Sequence, residues 1–66
     1  MTIPAERTRA VLAGEDFLVD LLTPAKTPRV PKAIRERARR VLRHYPGRIN
    51  MKLTAQRCPE IWGAVE

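Results

Sequence analysis

Acidic residues are scarce in this chain: seven Asp and Glu stand against thirteen Lys and Arg, for a formal charge of +6 and a pI near 10.8. A surface so unbalanced favours encounters with anions of any kind, whether nucleic acid, acidic protein faces or anionic lipid. The single cysteine, Cys58, excludes an internal disulfide, and with only one histidine it has no metal-site partners. It reads as a small packing residue in a reducing compartment. Aromatics are limited to Phe17, Tyr45 and Trp62, which excludes the interleaved stacking platforms of single-strand binders. No apolar run approaches the roughly 20 residues of a membrane-spanning helix. The opening MTIPAERTRAV carries charge early and no apolar h-region, so no secretory signal, no membrane partner and a cytoplasmic location are expected. His44 has no Ser, Cys or carboxylate at a telling spacing, and the chain holds no metal or cofactor motif. A non-enzyme without cofactors is expected.

What is present is enough for one small domain. Apolar residues make up 44% of the 66, which argues against wholesale disorder, but a chain this short can build only a thin core. Residues 4–22 read as an amphipathic helix. Thr2 and Pro4 stand at its start, and Thr23 and Pro24 stop it. Ala10, Val11, Gly14, Phe17, Leu18, Leu21 and Leu22 share one side, opposite Arg9, Asp16 and Asp20. Gly14 costs about 1 kcal/mol of helix propensity relative to alanine. Either a neighbouring helix approaches it closely, or it is a weak point. The prolines at 24, 28 and 31 favour an extended, stiff connector over 23–30. A second helix follows over 31–45, with Ile34, Ala38, Val41, Leu42 and Tyr45 as its core stripe, and Pro46 and Gly47 end it.

For the last third, Asn50 is expected to cap a short helix over 51–58, although INMKLT also alternates as a strand would. Ile61 and Trp62 are expected to fold back over the hairpin, the alternative being Trp62 as an exposed partner anchor. The expected fold class is all-α: an antiparallel two-helix hairpin with a short C-terminal third helix packed across it.

The second helix concentrates the charge. Lys32, Arg35, Arg37, Arg39, Arg40, Arg43 and His44 stand there beside one acid, Glu36. Part of this is ordinary helix economy: Arg is a good helix former, Glu36 has the spacing to pair with Arg39 and Arg40, and cations near a helix C-terminus suit its dipole. The surplus beyond that suits an anion-binding face, because the arginine fork matches carboxylate and phosphate. A solvated back with no ligand, an acidic protein partner and nucleic acid all remain open. The long connector is unlike a helix-turn-helix turn, so contact with DNA would be to its backbone. Arg7 falls near the centre of the first helix's apolar arc, at the hairpin end that holds His44 and Tyr45. It would make a cation–π contact with Tyr45 or snorkel past the core.

The segments MTIPAERTRAV, DFLVDLL and RVPKAIRERARRVLRHYP together resemble a family of very small, uncharacterised proteobacterial proteins, which share an ERTRAV-like N-terminal segment and a second helix ending in LRHYP or close to it. The resemblance covers roughly residues 1–46; Ala13 to Asp16 depart from it, and the C-terminal third matches loosely. It implies a compact bacterial accessory protein, of phage or mobile-element kind, with no catalytic residues, and it draws attention to Glu6, Arg7, Arg9, Arg43, His44 and Tyr45. The leading expectation is therefore a non-enzymatic regulatory or inhibitory protein that docks an acidic surface of a protein partner through Arg35, Arg39, Arg40 and Arg43. Lys32, Arg7, His44, Tyr45 and Trp62 are further candidates, nucleic acid is the alternative partner, and a homodimer is also considered.

Overall fold

The computed structural model describes residues 2–65, which form three helices, Pro4–Leu21 (α1), Lys32–Leu42 (α2) and Arg48–Arg57 (α3), and no strand among the described residues. The chain divides into two compact units. One joins the residues up to Ala13 with those from Pro46 onward, and the other is Gly14–Tyr45. α3 contacts the N-terminal half of α1 in the first unit, and α2 packs against the C-terminal half of α1 in the second.

α1 begins as its sequence dictates. Pro4 takes the first helical position, where a missing N–H costs nothing. The Glu6 carboxylate accepts a hydrogen bond from the Ile3 N–H at 2.9 Å, the acidic half of a capping box. At the other end the last carbonyls need partners from outside the helix. Val19 O accepts from the Thr23 hydroxyl at 3.1 Å, Asp20 O from the Thr27 hydroxyl at 2.7 Å, and Leu21 O from the Arg35 guanidinium at 2.6 Å.

The connector is not extended, contrary to what its prolines favour. The Lys26 and Thr27 N–H groups donate back to Thr23 O, so Pro24 sits second in a tight turn, the position its fixed φ suits best. α2 then starts one residue later than expected, with Pro31 as its N-cap. It also ends earlier, at Leu42 rather than Tyr45. The His44 and Tyr45 N–H groups donate only three residues back, to Val41 O and Leu42 O, because Pro46 bars Tyr45 from the α conformation. α3 is displaced from 51–58 to Arg48–Arg57, and Gly47 rather than Asn50 is its N-cap. Asn50 instead lies exposed in the first turn, where its carbonyl accepts from the Thr54 hydroxyl at 2.8 Å. Cys58, half-buried and unbridged, precedes Pro59 and closes the helix.

In the first unit the C-terminal segment folds back onto the opening turns of α1. Gly63 N–H donates to Pro4 O at 2.9 Å, and Gly63 O accepts from the Thr8 hydroxyl at 2.8 Å. Thr8 is 2% exposed. A Cβ at Gly63 would lie 2.5 Å from Ala5 Cα, so only glycine allows this approach. Among the described residues of this unit, Met51 and Ala55 of α3 are the buried apolar ones.

In the second unit Ala38 is the buried apolar residue. Gly14, Leu18, Leu21, Leu22, Leu42 and Tyr45 are half-buried. The apolar stripes were expected to be covered throughout, and they are not: Phe17 is 60% exposed, Val41 52% and Ile34 38%. α2 has one neighbouring helix in this unit, so only the centre of a wide apolar arc is covered and its flank stays open. A Cβ at Gly14 would run into the Tyr45 hydroxyl, so what approaches this glycine is the tip of a side chain from beyond the end of α2 rather than a neighbouring helix.

Candidate functional site

α2 carries its polar side chains on a fixed arc because residues three and four apart share a helix face. Lys32, Glu36, Arg37, Arg39, Arg40, Arg43 and His44 are all exposed. Among the described residues, Lys32, Arg37, Arg39, Arg40 and Arg43 make no ion pair or side-chain hydrogen bond, and Glu36 pairs with neither Arg39 nor Arg40. The ion pair between Lys26 and Asp20, at 3.4 Å, is on the connector side of the unit and largely solvated. The basic face therefore projects several uncompensated guanidinium groups into solvent.

Arg35 stands one turn before Arg39 on the same flank of the helix but does not share its exposure. It is half-buried, and its guanidinium donates to Leu21 O at 2.6 Å and also to Thr27 O. The fork thus ties α2 to the end of α1 and to the connector, where it serves the backbone. Arg7 is used in a similar way in the first unit. Its Nε donates to Ile61 O at 2.8 Å, and its Nη1 donates to Thr2 O at 2.7 Å and the Thr2 hydroxyl at 3.1 Å. Two of the arginines singled out as partner-binding residues are therefore structural ties.

Tyr45 is half-buried with its hydroxyl at Gly14, while His44 is exposed. Trp62 is half-buried as well, and in the first unit it walls a cavity of about 310 Å³ together with Ala55, Pro59 and Val65, with Lys52 and Gln56 among the polar lining. Among the described residues there is no cluster of His, Cys, Asp or Glu that could hold a metal ion, and no helix is long and apolar enough to cross a membrane.

Sequence reasoning missed one feature beside the basic face. Ile34 and Val41, assigned to the core, line a groove of about 210 Å³ with Leu18, Leu21, Ala38 and Arg37. The signal was present in the width of the apolar arc, which is broader than one neighbouring helix covers, with Arg37 at its edge. No protein-family model, curated protein or solved structure matches the chain.

Proposed function

We propose that the chain is a non-enzymatic binding protein, regulatory or inhibitory in role, that docks an acidic surface of a protein partner through α2. The observation that carries this reading is the set of exposed, unpaired guanidinium groups of Arg37, Arg39, Arg40 and Arg43, joined by Lys32. Folding does not need them, and arginine forks match carboxylates in pairs. Arg35 and Arg7 are left out of the interface because their donors already serve backbone carbonyls. The exposed Ile34 and Val41 on the same helix favour a protein over a polyphosphate, since a nucleic-acid backbone offers them nothing to bury against.

The proposed face needs α1 and α2 to form an antiparallel hairpin, and two ties support that arrangement. Arg35, early in α2, reaches Leu21 at the end of α1, and Tyr45, beyond the end of α2, lies at Gly14 a few turns back. A cytoplasmic working place fits the lone reduced Cys58.

The test pairs a pull-down from nuclease-treated bacterial lysate with binding to random duplex DNA across a salt series. A stoichiometric protein partner that is lost with Arg39→Glu plus Arg43→Glu supports the reading. The second reading, phosphate contact by the same arginines, would instead give DNA affinity falling with a log–log salt slope of about −0.9 per phosphate neutralised.

A further inference from the structure

We infer that the groove between α1 and α2 seats one amphipathic α-helix of the partner, its apolar stripe filling the groove and its acidic flank lying against Arg37 and Arg40. This rests on the reading of α2 as an acidic-partner surface, and it adds what the partner must look like. The floor is Ala38, 3% exposed, and its small side chain leaves a depression between Ile34 and Val41 on α2 and Leu18 and Leu21 on α1. Ile34 and Val41 are seven residues apart, so this wall runs about two helical turns, or roughly 10 Å. That length takes an apolar pair at i and i+3 or i+4 from an incoming helix and leaves room for a third anchor at i+7. Phe17, one turn before Leu21 on α1, is 60% exposed.

Charge selects among occupants. Arg37 lines the groove itself, and Arg40 follows it one turn on. A second copy of this chain would bring another net +6 against that edge. A peptide adding as a strand would need a sheet edge to pair with, and among the described residues there is no strand. The fit is to a helix that is apolar along one stripe and rich in Glu or Asp on the flank facing α2, where fork-and-carboxylate pairs form at the rim of a buried apolar contact.

The test uses the full chain and three synthetic peptides of about four helical turns: one with leucines at i, i+3, i+4 and i+7 among glutamates, one of the same composition with the stripe scrambled, and one with lysine in place of every glutamate. Labelled-peptide anisotropy gives affinity, and amide shifts of the isotope-labelled chain give location. The expected result is binding of the striped acidic peptide with shifts at Leu18, Ile34 and Val41, at least about tenfold weaker binding of the scrambled peptide, and none of the lysine peptide. Val41→Asp, at an exposed position, should weaken the striped peptide by about tenfold or more, and helical circular dichroism checks that the variant folds. Equal binding of striped and scrambled peptides overturns the groove and leaves acidic docking standing. If no peptide binds, the helix-in-groove inference falls, while acidic docking stands or falls with the pull-down and its Arg39→Glu plus Arg43→Glu variant. Concentration-dependent dimerisation abolished by Val41→Asp overturns the inference in favour of a second copy, and DNA-induced shifts at Ile34 and Val41 in favour of nucleic acid.

Discussion

Arg35 and Arg39 lie one turn apart on α2, and their surroundings give them different work. The Arg35 fork holds Leu21 O and Thr27 O, whereas Arg39 is exposed and unpaired among the described residues. Arg35→Ala should therefore lower the unfolding free energy by about 2 kcal/mol, the scale of hydrogen bonds from a charged donor. Arg35→Lys, which keeps the charge but loses the fork, should recover part of that loss, and urea titration measures both. Arg39→Ala should leave stability nearly unchanged. In the first unit Thr8→Val removes the hydroxyl that satisfies Gly63 O and should cost about 1 to 2 kcal/mol. Gly63→Ala cannot be accommodated against Ala5, so the C-terminal segment should detach, with a red shift in the fluorescence of the single tryptophan, Trp62. None of these ties follows from residue type alone: Arg7 and Arg35 look like any other surface arginine until their partners, 54 and 14 residues away in the chain, are known.

Helix boundaries show where local chemistry suffices. Pro4, Pro24, Pro46 and Pro59 bound elements as their missing N–H groups and fixed φ require, and the existence of all three helices is legible from them. The errors lie where two signals compete. Asn50 is a good cap residue, but Gly47 precedes a stretch that can already propagate helix, so the helix starts earlier. The core stripe of α2 continues to Tyr45, but the restriction before Pro46 overrides it. Pro46→Ala lifts that restriction. Helical circular dichroism should rise, and the α-carbon shifts of residues 43–45 should move to helical values.

Across the molecule, the buried apolar residues among those described are the small or flexible Ala38, Met51 and Ala55, while larger ones such as Ile34, Phe17, Val41 and Ile49 stay exposed. Such a core leaves little margin against conformational entropy. Like charges are concentrated on one helix and the net charge is +6, so self-repulsion weighs on that margin. Raising ionic strength from about 10 mM to about 150 mM shortens the screening length from roughly 30 to 8 Å. The melting temperature should rise accordingly, and Arg39→Glu plus Arg43→Glu should flatten the dependence. Unchanged melting across that range would mean that the basic face adds no strain to the fold.

The sequence by itself determined the class of structure and the place of its charge. Helical periodicity, proline punctuation and the arginine surplus are local properties, read within a few residues of where they act. Only the tertiary structure decided which arginines remain available, because a hydrogen bond from Arg7 or Arg35 depends on a distant carbonyl left without a partner. It alone decided that Ile34 and Val41 face solvent, because the covered width of an apolar stripe depends on how many neighbours pack against it and not on the stripe itself.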